Sequence, residues 1–241
     1  MSIMDNKICT LENYFDICPL YDAHDKLEEA YYFLLMMSFS YHKPDDFRFN
    51  LHAFIQALRG VTFMLQSHKS KIPHFDEWYS KKQEEMKTNP YLKSICDSRT
   101  IIVHKRALKT KSTIDVGLYR GRRLKMAISL KDVDPFVDSY VLFNNLVPKF
   151  AEIGFIDEDH SAIGEQLGIK RQWFCDELGD EEIFQTCYKS YISICDLIRE
   201  AHEFFDLELL PQGIPDDLFD KTYVLLESDL DPSLPKKWGW E

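Results

Sequence analysis

The stretch "NPYLKSICDSRTIIVHKRALKTK", residues 89–111, carries the pattern on which the fold prediction depends. Asn89 followed by Pro90 is typical of a helix start, because the asparagine side chain caps the first amides and proline is favoured at the first helical position. His104 lies about 140° around such a helix from Arg99. The apolar residues within roughly 80° of Arg99 on this helix are Leu92, Ile95, Cys96, Ile102, Val103 and Ala107. The segment therefore predicts a helix with an arginine in the middle of its apolar stripe and a histidine at the edge.

Similar helical spacing of apolar residues occurs on both sides of this segment. It predicts further helices over about residues 19–41, 47–68, 74–87, 135–153 and 181–205. Residues 112–130 alternate between apolar and polar and contain the turn "YRGR", which indicates a β-hairpin. The predicted fold class is therefore all-α, an antiparallel helical bundle with one inserted β-hairpin, in a domain of residues 1–205 followed by a tail of residues 206–241.

The chain shows no membrane-targeting pattern. The N-terminal segment "MSIMDNKICT" has no charged and then apolar leader, and the longest apolar run, Ala30–Met37, is far shorter than the ~18 residues of a membrane span. With 45% hydrophobic residues among 241, the chain can bury a substantial core. These features predict a soluble, unprocessed, cytoplasmic protein that does not associate with membranes.

The six cysteines are scattered along the chain with no C-x-x-C pair. Three of them fall inside helical patterns, where a thiol behaves as a small apolar side chain. We therefore interpret the cysteines as reduced and the protein as intracellular, and we predict neither a zinc site nor any other cofactor.

Positive charge is concentrated in one part of an acidic chain. The net charge is -11, but residues 99–125 hold nine lysines and arginines and one acid, Asp115, which makes this segment +8 and the remainder -19. The overall charge argues against non-specific coating of nucleic acid, whereas the basic segment can attract a polyanion locally.

Arg99 has two interpretations. A charge within an apolar stripe is costly unless it is paired or reaches a polar cleft. In the first interpretation, Arg99 bonds an acid on the second or third helix and His104 is a surface residue. In the second, both side chains line a functional cleft.

The segment "RTIIVH" resembles the R-polar-x-x-x-H motif of the HEPN superfamily, helical-bundle proteins that include many metal-independent endoribonucleases. The resemblance implies a homodimer with the motif at the dimer cleft, where Arg99 is the motif arginine, Thr100 its polar follower and His104 its histidine. Members paired with nucleotidyltransferase antitoxins carry a tyrosine two residues after the histidine, where this chain has Arg106.

The residue types suit RNA cleavage. The RNA supplies its own 2′-hydroxyl nucleophile, so a histidine that moves protons and an arginine that binds phosphate oxygens are sufficient. The prediction is metal-independent cleavage of single-stranded RNA by Arg99 and His104, with Thr100 supporting them and a regulatory protein as a further partner. The basic residues predicted to bind RNA are Lys105, Arg106, Lys109, Lys111, Arg120, Arg122, Arg123 and Lys125. The alternative is a non-catalytic helical protein that binds RNA or an acidic protein through the same residues.

Three other patterns are weaker. "SAIGEQLGIKRQWF", residues 161–174, has the form of a helix-turn-helix for DNA, but its acidic flanks would repel a phosphate backbone and favour a plain helix-Gly-helix corner. His24 and Glu28 are one helical turn apart, as metal ligands can be, but a solvated helix face is the simpler interpretation. "AHEFFD" near His202 lacks the second histidine of a zinc-protease motif.

Overall fold

The computed structural model describes residues 7–9, 14–152, 160–209, 215 and 218–240. No helix among these residues is long and apolar enough to cross a membrane. Two predictions involve residues outside the described ranges. The prediction about the leader rests partly on residues 1–6, and one predicted helix ends at Ile153. The helices are α1 (Tyr14–Ile17), α2 (Tyr21–Phe39), α3 (Pro44–Ser67), α4 (Phe75–Thr88), α5 (Pro90–His104), α6 (Ser139–Glu152), α7 (Ile183–Glu203), α8 (Leu218–Tyr223), α9 (Glu227–Leu230) and α10 (Leu234–Lys237). The strands are β1 (Lys7–Cys9), β2 (Thr110–Arg120), β3 (Arg123–Val133), β4 (Gln166–Cys175), β5 (Leu207–Leu209) and β6 (Val224–Leu226).

The long predicted helices and the hairpin are confirmed within a few residues at their ends. The start of α5 shows the reason, since the Asn89 side chain accepts hydrogen bonds from the amides of Tyr91, at 3.0 Å, and Leu92, at 3.2 Å. Pro90 follows as the first helical residue. The hairpin turns at Gly121, whose φ of 56° lies in the left-handed region that glycine adopts without strain.

The chain divides into two compact units that alternate along the sequence. Unit 1 comprises residues 1–36, 49–109 and 176–214. Unit 2 comprises residues 37–48, 110–175 and 215–241.

Unit 1 is mainly helical. Its α7 is buried along most of its length, from Ile183 to His202, and packs against α5. After α7 the chain turns at Asp206, whose φ of 52° is one that aspartate tolerates better than most residues. The chain then forms β5, which pairs in parallel with β1 so that Cys9 lies opposite Leu209.

Unit 2 contains a four-stranded antiparallel sheet in the order β3-β2-β4-β6. One face of this sheet packs against α6 through a core that includes Val116, Ile169 and Phe143. On β2, Gly117 lies opposite both Ala127 and Gly168, and a side chain on Gly117 would meet the carbonyl oxygen of Met126 at 1.9 Å. The strands therefore approach one another at a point that only glycine permits.

The predicted all-α class is wrong, because the described residues contain six strands in two sheets and the fold is mixed α/β. The hairpin is one half of the larger sheet. The other half, β4 and β6, comes from residues more than 30 positions further along the chain. A local pattern does not show such partners, because strand pairing is a tertiary contact.

Both interpretations of residues 161–174, the helix-turn-helix and the favoured helix-Gly-helix corner, are also wrong. Residues 166–175 form β4, in which the first four residues are buried and buried and partly buried positions alternate from Ile169 onward. Arg171, expected at the start of a recognition helix, has no exposed surface. Its guanidinium donates to the carbonyls of Val137, at 2.7 Å, and Pro135, at 3.2 Å, and lies 4.0 Å from the Trp173 ring.

Candidate metal centre

Four metal-ligand side chains meet inside unit 1. Their ligand atoms, two thiol sulfurs and two imidazole nitrogens, all lie within 4.8 Å of one another. His24 Nδ1 is 3.5 Å from Cys9 Sγ, and His202 Nε2 is 3.1 Å from Cys18 Sγ. All four residues are buried, with Cys18 the most exposed at 8%. The cluster is therefore a closed Cys2His2 arrangement.

Each ligand comes from a different part of unit 1. Cys9 ends β1 and is placed by the parallel pairing with β5. Cys18 directly follows α1, where its amide donates to the carbonyl of Tyr14 at 3.0 Å. His24 lies in the first turn of α2, and His202 lies in the last turn of α7. The site thus joins the N-terminal segments of unit 1 to the end of its most buried helix.

The two histidines are oriented by hydrogen bonds on the side away from the cysteines. His24 Nε2 lies 3.4 Å from Glu28 Oε1, and His202 Nδ1 lies 2.8 Å from the carbonyl oxygen of Ile198. A carboxylate and a carbonyl can only accept, so these ring nitrogens carry the protons. In the neutral rings this leaves His24 Nδ1 and His202 Nε2 with lone pairs directed toward the cysteines. Where His24 is protonated on both nitrogens, a cation that binds at Nδ1 must displace that proton. Histidine ligands of metals are oriented by outer hydrogen bonds of this kind.

The electrostatics of the cluster favour one thiolate in the absence of a cation. Burial opposes ionisation of Cys18, but hydrogen bonds with His202 and His24 outweigh it and lower the pKa of Cys18 to about 6. Burial also opposes the charge on His24, yet Cys18 and Glu28 raise the pKa of His24 to about 9. Burial raises the pKa of the Cys9 thiol to about 12.

A tetrahedral divalent cation fits this donor set. With bonds of about 2.3 Å to sulfur and about 2.0–2.1 Å to nitrogen, the ligand atoms of tetrahedral zinc are separated by about 3.3–3.8 Å. The 3.5 Å and 3.1 Å contacts are close to that spacing. Two sulfurs and two nitrogens in tetrahedral array are typical of Zn²⁺, and four protein ligands leave no open position for a substrate.

Sequence reasoning missed this centre. The spacing C-x8-C-x5-H resembles no compact zinc motif, and the fourth ligand follows 178 residues after His24. The available signal was the pair His24 and Glu28 at one helical turn. Its interpretation as a solvated face is wrong, because His24 is 1% exposed.

The predicted RNA-cleaving residues lie elsewhere, on α5. The buried residues of α5 are Ile95 and Ser98, whereas Arg99 is half-buried and His104, the last helical residue, is exposed. Arg99 therefore lies at the side of the buried stripe and not at its centre. The hydroxyl of Thr100 donates to the carbonyl of Cys96 at 3.2 Å, within the helix.

The predicted RNA-binding residues are divided between the units. Lys105, Arg106 and Lys109 belong to unit 1, and the other five, Lys111, Arg120, Arg122, Arg123 and Lys125, belong to unit 2. Three of the arginines pair with acids of the same unit: Arg106 with Glu177 at 2.5 Å, Arg120 with Glu165 at 3.3 Å, and Arg122 with Asp229 at 2.7 Å. These acids reduce the charge available to an RNA backbone.

The described residues thus define a mixed α/β protein with a candidate Cys2His2 metal centre. A family model described as bacteriophage lambda protein ea47 matches residues 12–214, and the chain belongs to this family. Protein ea47 of Escherichia phage lambda is 27% identical over 150 residues, which cover 61% of this chain and 35% of that protein. The chain therefore matches about a third of the relative's length. No solved structure matches the chain.

These matches overturn the HEPN resemblance. The family is that of ea47, and the resemblance rested on three residues of one helix. An arginine and a histidine five positions apart are too few to specify a fold. RNA cleavage by Arg99 and His104, the homodimer and the regulatory partner stay predictions. Of the four metal-ligand residues, Cys18, His24 and His202 lie within the matched range, and Cys9 precedes it.

Proposed function

We propose that this chain is a zinc-binding protein in which Cys9, Cys18, His24 and His202 hold one Zn²⁺ as a structural centre of unit 1. The observation that carries the proposal is the convergence of four buried ligand atoms within 4.8 Å. The outer hydrogen bonds of both histidines support it, because they direct the free ring nitrogens toward the cysteines.

The site suits a structural role better than a catalytic one. A catalytic zinc keeps a coordination position for water or substrate, whereas four protein ligands complete the tetrahedron. All four ligands are buried, so a bound ion has little contact with solvent. The thiolates must remain reduced to bind, which suits the predicted cytoplasmic location.

Zinc has a specific structural task here. The strands β1 and β5 have three residues each, and a two-stranded ladder is marginal by itself. A zinc ion would link β1, the segment after α1, α2 and α7 through one centre. Binding energy at such a site is also folding energy, since the unfolded chain does not hold the four ligands together.

The first test measures zinc directly. The purified 241-residue chain is expected to contain about one zinc per chain by elemental mass spectrometry. Replacement of the metal with Co²⁺ should give the intense visible bands of tetrahedral cobalt together with thiolate-to-cobalt charge transfer. A zinc-free protein after zinc supplementation, or a weak octahedral cobalt spectrum, would contradict the proposal.

Matched variants assign the ligands. Cys18→Ser and His202→Gln are expected to lose zinc and the tetrahedral cobalt spectrum. The controls are Cys187→Ala, which changes a buried cysteine of α7, and His68→Gln, which changes a buried histidine that pairs with Asp22 at 3.1 Å. Both controls should keep full zinc content. Equal zinc in all four variants would place the ion at another site.

A further inference from the structure

Unit 1 contains a groove that is separate in composition from the metal centre. It has a volume of about 670 Å³ and is formed by α3, α4 and α5, with Ile194 of α7 contributing. A volume of this size is within the usual range of about 300–1,000 Å³ for small-molecule sites. None of the four metal-ligand residues lines it.

The floor of the groove is apolar. Leu58 and Ile95 are buried at 2% and 3% exposure, and Ile194 is equally buried. Leu92 and Met86 are half-buried beside them. This surface favours a hydrocarbon chain or ring, because such a ligand removes apolar area from water.

Polar groups meet in one corner of the groove. Arg59 donates to the hydroxyl of Thr62 at 2.7 Å and lies over the Phe63 ring at 4.6 Å. Gln66 and the buried Tyr79 line the same corner. Burial raises the pKa of Tyr79, whereas the charge of Arg59 and side-chain hydrogen bonds with Thr62 and Gln66 lower it. These contacts hold the guanidinium in place before any ligand arrives, which lowers the entropy cost of binding.

The charge in this corner belongs to Arg59, which is half-buried. Among the described residues, no carboxylate lies within salt-bridge distance of Arg59, although the chain carries 40 acidic residues. Lys87 and Lys93 also line the groove, and Asp97 is the acid among its lining residues. A half-buried arginine that lacks an acid is a favourable partner for a ligand carboxylate, since its planar fork binds two oxygens.

We infer that this groove binds a small anionic amphiphile, a molecule with an apolar chain and a carboxylate, with the chain over Ile95 and Ile194 and the carboxylate at Arg59. The hydrogen-bonded group around Arg59 favours a single head group at this corner.

The test titrates decanoate into the 241-residue protein by calorimetry. Two further ligands separate the contribution of the hydrocarbon from that of the carboxylate. Decanol has the ten-carbon hydrocarbon chain without the negative charge, and butyrate has the carboxylate with only a short hydrocarbon chain. Decanoate should bind at least about tenfold more tightly than either, because a charge-assisted hydrogen bond adds to apolar burial. Absence of decanoate binding, or equal binding of decanol, would overturn the inference.

Variants locate the ligand. Arg59→Gln should weaken decanoate binding about tenfold or more while leaving weak decanol binding unchanged. Met86→Glu introduces a carboxylate beside the chain and should weaken decanoate binding even if Arg59→Gln fails to fold. The control is Arg199→Gln on α7, an exposed arginine paired with Asp196 outside the groove. Unchanged decanoate affinity in folded Arg59→Gln or Met86→Glu would refute the placement.

Discussion

At the scale of single residues, the metal centre depends on side chains that local patterns describe poorly. His24 is one such residue, because its ring is buried between Cys9 and Glu28 although the charged residues Asp25 and Lys26 follow it in the sequence. Glu28 is the outer partner that selects the protonated nitrogen of His24. The role of Glu28 can therefore be recognised only in the folded structure, where Cys9 lies on the other side of the His24 ring.

Glu28→Gln should weaken zinc binding without changing its stoichiometry at saturating zinc. Outer partners of histidine ligands typically contribute about 10–100-fold in metal affinity, because they orient the ring and raise its basicity. Competition with a chromogenic chelator measures this. Glu29→Gln is the control, since Glu29 pairs with Lys26 on the helix surface. Identical affinities in both variants would deny Glu28 its orienting role.

His42 in unit 2 predicts a dependence of stability on pH. Burial, together with the charges of Arg171 and Arg122, lowers the pKa of His42 to about 3. An unfolded chain has a histidine pKa of about 6.5, so below this pH the unfolded state binds more protons and the folded state loses stability. The loss should proceed as the pH falls from about 6.5 toward 3, by up to about 1.4 kcal/mol per pH unit.

The test compares urea unfolding at neutral and acidic pH. His42→Gln should unfold with a smaller loss of stability on acidification than the wild type. His74→Asn is the control, since His74 is exposed and asparagine tolerates its φ of 52°. If His42→Gln and the wild type lose equal stability, His42 is not the group that titrates.

At the scale of elements, the two short strands and the long hairpin differ in what holds them. The hairpin pairs over most of its 11-residue strands and packs on α6. The β1 and β5 pair has three residues per strand and ends at Cys9. The pairing of β1 with β5 should therefore depend on zinc at the proposed site.

Removal of zinc should release β1 before the rest of the fold. Hydrogen exchange with mass spectrometry should show faster exchange in peptides covering Ile8 to Cys9 and Leu207 to Leu209 after chelation. Peptides from β2 and β3 should exchange as before, because their hydrogen bonds do not depend on the metal. Uniform acceleration over the whole chain would instead indicate global unfolding, and no change at all would argue against a structural ion.

Two glycines should respond in opposite directions to alanine. Gly117→Ala should lower the free energy of unfolding by about 1–3 kcal/mol or more, because the new Cβ would meet Met126 O at 1.9 Å. Gly60→Ala should raise it by about 0.5–1 kcal/mol, since Gly60 lies inside α3 and its Cβ would meet only the Lys26 side chain at 3.4 Å. Chemical denaturation measures both. A tolerated Gly117→Ala would mean that the strands lie further apart.

At the scale of the whole molecule, charge is distributed unevenly. The chain has a net charge of -11, whereas residues 99–125 carry +8. Within that segment, Arg106, Arg120 and Arg122 pair with acids, while Arg123 and Lys125 are exposed at the start of β3. Any binding of RNA should therefore depend more on Arg123 and Lys125 than on the paired arginines.

The double change Arg123→Glu and Lys125→Glu should weaken binding of single-stranded RNA. It should also make the slope of log K against log salt concentration shallower, by about 0.7 for each phosphate that the protein no longer neutralises. Filter binding at several salt concentrations measures this. Arg199→Glu, outside the segment, is the control.

The same RNA, end-labelled, reports cleavage: His104→Ala should reduce the cleavage rate about 10²–10⁴-fold if the histidine moves protons. Unaltered binding and cleavage in these variants would remove the RNA hypothesis.

The amino-acid sequence by itself determined the long helices and the hairpin. The Asn89 cap, the apolar spacing along α3 and α7 and the glycine of the hairpin turn are local features, and each acts within one or two turns of the chain. Local patterns do not reveal partners at a distance. They missed β4 as the central partner of the hairpin, because its pairing with β2 is tertiary.

Only the tertiary structure decided the metal centre. Cys9, Cys18, His24 and His202 have no motif in common, and the last ligand reaches the others because α7 and β5 return the chain to β1. Metal coordination requires distances of a few ångströms between atoms, and only folding brings Cys18 and His202, 184 positions apart, to 3.1 Å.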